Sequence, residues 1–304
     1  MKYKFIVNRH AGGGISPSEV SRLENYFQRE TGSFDLLLPD NRDDAIELTR
    51  RAIKDGAEKI VSVGGDGTTN TVANGFFENG KPINPNATLI VSKTGSGFDY
   101  YRSIVGENRP QSWMELVTHH EPRAVDVGFI EFENRSLINQ YFVNMSSLGV
   151  TADIIHKKEI MTKRIPRIFS YILPTVQSIF TFKPVMMEII TESESFSVNA
   201  LALTVAKGRY AGGGMKFGIN AKLDDGLFDI TIFEEMSTPH LLLNLAKLYT
   251  GDFSREKRVR KFKAARIEIR TEKPIQVEFD GELHGTTNIK ISCLPKAINV
   301  AFPH

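Results

Sequence analysis

Cysteine is nearly missing from this chain. Cys293 stands alone in 304 residues, which excludes an intrachain disulfide and a thiolate metal cage and fits a reducing compartment. An excess of one charge is missing as well. Lys and Arg number 38 against 36 Asp and Glu, a net charge of +2, so the balance gives no support to a nucleic-acid partner. No apolar run approaches the ~18 residues of a membrane span. The opening Met-Lys-Tyr-Lys-Phe-Ile-Val-Asn8 turns polar at once and lacks the apolar core of a signal peptide. The seven His residues show no paired zinc spacing, and there is neither an internal repeat nor a low-complexity linker. These absences lead us to expect a cytoplasmic protein whose membrane contact is peripheral.

What is present is ordinary globular material, 41% apolar and 24% charged. At ~100–200 residues per domain the length suits two domains or one large one. The first third alternates strand and helix signals. Strands are expected at Tyr3 to Asn8, Phe34 to Leu38, Lys59 to Val63 and Ala87 to Ser92. Helices are expected from Ser16-Pro17-Ser18-Glu19, where Ser16 is a suitable N-cap, over Asp43 to Asp55, and over Thr71 to Phe77. This alternation predicts an α/β domain with a doubly wound, mainly parallel sheet, whose ligands bind beyond the carboxyl ends of the strands.

From about Arg123 the pattern becomes strand-rich: Val125 to Glu131, Gln140 to Ser146, Val185 to Thr191, Ser197 to Val205, Phe228 to Phe233, Ala265 to Thr271 and Ile275 to Phe279. Only Lys157 to Thr181, interrupted by Pro166 and Pro174, and Pro239 to Thr250 look helical. We therefore expect a mainly antiparallel, β-sandwich-like C-terminal domain. The boundary falls at Glu121-Pro122-Arg123, giving domains 1–122 and 123–289. The last strand, within 290–304, pairs with either sheet and completes the first domain if it joins that one.

Three glycine-rich turns follow the early strands: Gly12-Gly13-Gly14, Gly64-Gly65-Asp66-Gly67-Thr68 and Gly95-Ser96-Gly97-Phe98-Asp99. Glycines after a buried strand let the backbone approach a ligand, and the helix that follows offers N–H groups suited to phosphate. The same residues also read as plain strand–turn–helix joints. The second turn is neither a Walker loop nor a Gly-x-Gly-x-x-Gly fingerprint. Asp280-Gly281-Glu282, after a strand, reads on its own as a hairpin turn, and Asp224-Asp225-Gly226 reads as a turn whose packed carboxylates favour Mg²⁺ or Ca²⁺.

Taken in order, these pieces resemble the diacylglycerol kinase catalytic-domain superfamily, which includes bacterial lipid kinases and the sphingosine and ceramide kinases. The match runs through Val7-Asn8-Arg9-His10-Ala11-Gly12, the Gly64–Asn70 element followed by Asn74-Gly75, and Gly95 to Arg102. It continues through Val125-Asp126-Val127-Gly128, Phe142-Val143-Asn144, Leu148-Gly149-Val150, Gly212 to Asp229 and Asp280-Gly281-Glu282. Arg9, Thr71 and Phe98 stand where the family has Pro, Glu and Asn. The resemblance implies a two-domain lipid kinase, with a nucleotide-binding first domain, a lipid-substrate second domain and ATP between them. It places Asn8, Gly64, Gly65, Asp66, Gly67, Thr68, Thr69, Asn70, Gly95 and Ser96 on the nucleotide. Glu282 falls on the proton acceptor, with Asp66 and Asp126 on catalytic acidic positions near the phosphates. Asp225 falls on a Mg²⁺ position, with the carbonyls of Lys222 and Leu227 beside it.

The implied reaction moves the γ-phosphate of ATP, with Mg²⁺, to the hydroxyl of a membrane lipid. Diacylglycerol comes first, ahead of a monoacylglycerol, a sphingoid base or a phosphatidylglycerol-like lipid. Two basic stretches, Lys157, Lys158, Lys163, Arg164 and Arg167 before Ile168 to Leu173, and Arg255 to Lys263, suit an anionic membrane surface or else a solvated face. A homodimer stays open. Two rivals stay open as well: a kinase of a soluble substrate, of the NAD kinase type, and a non-catalytic lipid- or nucleotide-binding protein.

Overall fold

The computed structural model describes residues 3–9, 17–31, 34–94, 97–106, 113–161 and 172–304. The chain divides into two compact units, Met1–Val127 with Leu294–His304, and Gly128–Cys293.

The first unit contains β1 (Tyr3–Val7), α1 (Pro17–Thr31), β2 (Phe34–Leu37), α2 (Arg42–Lys54), β3 (Lys59–Val63) and α3 (Asp66–Asn74). A small hairpin, β4 (Phe77–Glu78) with β5 (Lys81–Pro82), precedes β6 (Thr88–Val91), α4 (Asp99–Val105), α5 (Trp113–Thr118) and the start of β7 (Glu121–Phe132). Strands β2, β1, β3 and β6 lie side by side, all parallel. Helix-covered parallel strands are apolar along their whole length, and β3 and β6 are nearly all buried. Phe5 of β1 packs on Phe27 of α1 at 4.6 Å between ring centres. Helix α2 starts where the Asn41 side chain accepts from the Asp44 amide at 3.0 Å, a cap worth ~1 kcal/mol. It buries Ala45, Thr49, Ala52 and Ile53.

The second unit is antiparallel. It contains the end of β7, β8 (Gln140–Phe142), β9 (Met145–Gly149), α6 (Val150–Met161), α7 (Ile172–Thr181), β10 (Val185–Thr191), β11 (Ser195–Ala206), β12 (Phe228–Glu234), α8 (Thr238–Leu245) and α9 (Lys247–Thr250). β13 (Val259–Ala264), β14 (Arg266–Thr271), β15 (Gln276–Phe279), β16 (Glu282–Thr286) and the start of β17 (Ile289–Phe302) complete it. The long β11 pairs with β10, β12 and β9, and slips register between Ala200 and Ala202. A bulge of that kind bends a strand and lets one sheet curl into a sandwich-like layer. Its core holds Phe142, Phe228, Phe279, Ile230 and Ile269.

Strand β17 answers the open question of the last strand by pairing twice. Ile289 to Ser292 run antiparallel to β14, and Asn299 and Val300 run parallel to β6. Several elements differ from expectation. Helix α3 begins at Asp66, five residues before the expected Thr71, because the Gly65 carbonyl already accepts from the Thr69 amide at 3.0 Å. Packing beneath β3 overrides the poor helix propensity of Gly67. The expected helix from Lys157 begins at Val150 instead, straight out of β9. Gly149 makes that turn at φ 88, where a Cβ would meet the Leu201 carbonyl at 2.3 Å. Gln140 to Ser146 breaks into β8 and β9. No helix among the described residues is long and apolar enough to cross a membrane.

Candidate active site

In the first unit the Gly64–Asn70 element leaves the carboxyl end of β3 and becomes the first turns of α3. Gly64 is required sterically: a Cβ there would lie 2.3 Å from Thr68 Oγ1. Its amide donates to Ser92 Oγ at 3.3 Å, and Thr94 Oγ1 donates to its carbonyl at 2.9 Å. Asn8, at the end of β1, donates through Nδ2 to Thr68 Oγ1 at 3.0 Å. Thr68, Thr69 and Asn70 are buried, and Asn70 accepts from the Asn74 side chain. Those three side chains therefore fasten the turn, while Gly65, Asp66 and Gly67 remain partly exposed. No side chain caps α3 from Gly65; of its leading N–H groups, that of Asp66 donates to the Asp66 carboxylate itself.

Asp66 is turned inward. Its carboxylate accepts from the Tyr100 amide at 3.0 Å and the Asp99 amide at 3.2 Å, tying α3 to the start of α4. Phe98, just before α4, adopts a left-handed conformation (φ 42), strained for a bulky residue. Burial pushes the Asp66 carboxyl up; the amides of Tyr100, Asp99 and Asp66 itself and the Arg102 charge offset this only partly. Gly97 fits because a Cβ would meet Asp66 Oδ2 at 2.8 Å. The Phe98 ring lies 5.4 Å from Lys93 Nζ and 5.1 Å from Arg102 Cζ, both within cation–π range. Gly12 to Gly14, Gly95 and Ser96 lie outside the described residues.

Asp126, on β7, is fully buried, and its Oδ1 accepts from the Lys296 amide at 2.9 Å. Lys296 has φ 49, so this carboxylate fastens an irregular point of β17.

In the second unit, β15 and β16 form a hairpin whose two loop residues, Asp280 (φ 50) and Gly281 (φ 89), are both left-handed. This is the backbone of a type I′ turn, the tight turn that matches strand twist. Asp280 is buried and accepts from the amides of Val143, Asn144 and Met145 at 2.9, 3.0 and 2.9 Å. Glu278, also buried, accepts from the Gly281 amide at 2.8 Å and from Ser147 Oγ. Burial outweighs those donors and pushes its carboxyl up to about 7. Glu282 is different: its side chain is 45% exposed, with His284 Nε2 at 3.9 Å. His284 is stacked on Phe279 at 3.7 Å. The turn thus holds two acids inward and presents the third.

The expected Mg²⁺ position does not fit a divalent ion. Asp225 Oδ1 accepts from Lys207 Nζ at 3.2 Å and from the Leu227 amide at 3.2 Å; Oδ2 accepts from Lys263 Nζ at 2.6 Å. Lys207 Nζ also donates to the Leu227 carbonyl at 2.8 Å. Burial raises the Asp225 carboxyl, but the bonds from Lys263, Leu227 and Lys207 outweigh it and hold the group below its ordinary value. Lys222 is exposed at the edge of this turn. Among the described residues no group of three or more His, Cys, Asp or Glu is placed to hold a metal.

The basic stretches are partly tied down. Lys157 bonds Asp153 at 2.6 Å and Thr181 at 2.7 Å; Lys163, Arg164 and Arg167 lie outside the described residues. The second stretch contains β13, where Arg260 pairs with Glu234 and Lys263 with Asp225. Sequence reasoning missed Lys207, Glu278 and the role of Asp280. An acid inside the apolar strand Gln276–Phe279 was a readable signal for Glu278. The other two depend on partners 18 to 137 residues away.

The catalytic-domain model of diacylglycerol kinases matches residues 2–130. A second family model, the YegS C-terminal NAD kinase beta sandwich-like domain, matches residues 144–302. A protein of Chromohalobacter salexigens named "Probable lipid kinase YegS-like" is 26% identical over 86% of this chain and 81% of its own length. A diacylglycerol kinase of Staphylococcus aureus is 26% identical over 86% of this chain and 79% of its own. A crystal structure of a diacylglycerol kinase from Bacillus anthracis superposes with a TM-score of 0.73, covering 99% of this chain and 96% of that one at 22% identity, and shows the shared fold.

Proposed function

Because the chain belongs to the diacylglycerol kinase catalytic-domain superfamily, a family of lipid kinases, we propose that it transfers the γ-phosphate of ATP to the hydroxyl of a membrane lipid, with diacylglycerol the first candidate. Glu282 carries this reading. It is the one acid of its hairpin presented toward solvent, on a turn held rigid by Asp280 and Glu278. Phosphoryl transfer needs positioning and a proton acceptor more than covalent help from the protein. The lipid oxygen attacks the γ-phosphorus, the bond to the bridging oxygen breaks, ADP departs, and the hydroxyl proton passes to Glu282. A positioned base contributes ~10²–10⁴ in rate. The leading N–H groups of α3 bind the phosphates, and ATP arrives as its Mg²⁺ complex. Asp66 positions the turn by anchoring α4, a positioning part rather than a proton-transfer part.

A bilayer-borne substrate is supported by apolar side chains on the helices of the second unit. Leu173, Val176 and Phe180 of α7, spaced three and four residues apart, are 42%, 47% and 66% exposed; Leu243 of α8 and Tyr249 of α9 are 79% and 59% exposed. Residues at that spacing share one helix face, and such a face suits peripheral contact with a bilayer. The deciding experiment incubates the protein with γ-labelled ATP and a total lipid extract. Label in a chloroform-soluble phospholipid is expected. Label only in a soluble product would favour the soluble-substrate kinase, and no label a binding protein.

A further inference from the structure

We propose that the ammonium of Lys207 is a built-in replacement for the divalent cation expected between Asp225 and Leu227. Lys207 follows β11, and its side chain is fully buried. A buried ammonium is stable only with acceptors at hand, and this one donates to Asp225 Oδ1 at 3.2 Å and to the Leu227 carbonyl at 2.8 Å. Those are two of the oxygens the family resemblance assigns to Mg²⁺. Mg²⁺ needs oxygen ligands at ~2.0–2.1 Å in near-octahedral order. With an ammonium already on the same two oxygens, an incoming ion meets repulsion and a depleted ligand set. Lys263 adds a second positive charge at 2.6 Å from Asp225 Oδ2. The turn Asp224-Asp225-Gly226 therefore closes around a charge supplied by the chain itself, and Lys207 replaces an exchangeable ion with a covalently attached one. The inference takes from the family reading only the expectation of an ion; its test reads stability and is independent of kinase activity.

The melting temperature of the wild-type protein is measured in EDTA and in millimolar Mg²⁺, without nucleotide. A site filled at ~100 times its dissociation constant would raise it by about 5–10 °C; no rise is expected. A rise that vanishes in Asp225→Asn overturns the proposal. A rise retained in Asp225→Asn comes from an ion elsewhere and upholds it. Lys207→Ala removes the ammonium, so the Leu227 carbonyl loses that donor and Asp225 keeps only Lys263 and the Leu227 amide. The variant should melt well below wild type in EDTA and recover several degrees in Mg²⁺ but not in Na⁺. A folded Lys207→Ala protein indifferent to Mg²⁺ would show that the pocket never suited a divalent ion and would overturn the replacement. Should that variant not fold, the wild-type and Asp225→Asn pair decides alone.

Discussion

The two units each place acids in a glycine-containing turn at the end of a strand, and they use them differently. In the first unit the acid of Gly64-Gly65-Asp66-Gly67 faces inward and holds the amides of Asp99 and Tyr100. What the turn offers outward is backbone. In the second unit the turn after β15 buries Asp280 and Glu278 as fasteners and offers a side chain, Glu282, outward. A phosphate calls for N–H donors and a hydroxyl proton calls for a carboxylate, so the contrast matches the two halves of a phosphoryl transfer. It also teaches that an acid in a glycine turn is not a catalytic group by virtue of its position. Its hydrogen-bond partners sort the fastener from the reagent.

The contrast breaks most easily at Asp280. Asp280→Ala leaves three buried amides without their acceptor, and an unsatisfied buried donor costs ~1–3 kcal/mol. We expect a loss of about 4 kcal/mol in urea unfolding. A loss below about 1 kcal/mol would mean that Asp280 is no fastener.

Glu278 sharpens the same side. Its folded carboxyl, at about 7, stands above the ordinary value of 4.5, so the folded protein holds a proton that the unfolded chain releases. The group's penalty is absent below pH ~4.5, grows as pH rises and is complete above pH ~7, at about 3 kcal/mol. Glu278→Gln should be more stable than wild type at pH 8 and should lose that advantage at pH 5. Parallel stability curves for the two proteins would remove Glu278 from the account.

On the first unit, Asp66→Ala should cost about 2 kcal/mol, because two amides lose their acceptor, and lower turnover with it. Asp66→Asn keeps one acceptor and should recover part of both. Lost turnover with unchanged unfolding would make Asp66 a reagent and erase the contrast. The smallest effect lies in docking. Phe180→Glu should weaken sedimentation with anionic vesicles by about tenfold, the low end of the ~1.5–3 kcal/mol for burying one large apolar side chain. Unchanged sedimentation would leave that face without a bilayer role.

Much of this architecture is legible in the amino-acid order. The strand–helix alternation points to the parallel sheet, and the ordered motifs point to the family. Residues such as Gly64 and Gly281 mark turns because of steric demands that survive in sequence. The start of α3 is misplaced by local reading because Gly65 and Gly67 argue against a helix, while packing under β3 enforces one. Asp66 and Asp280 look alike in their glycine-containing motifs. Their partners are amides about 33 and 137 residues away, and such pairings are set by topology that no local pattern carries. Lys207 is hidden for the same reason: a lysine after an apolar strand looks like a surface residue until Asp225 and Leu227 close over it.

The central claim is that Glu282 accepts the proton of a lipid hydroxyl. The most direct test compares wild type with Glu282→Gln, measuring label transfer from γ-labelled ATP to diacylglycerol in mixed micelles alongside ATP affinity and melting temperature. The account predicts turnover lower by about 10²–10⁴, with affinity and melting temperature unchanged. Wild-type turnover in the Gln protein would contradict it.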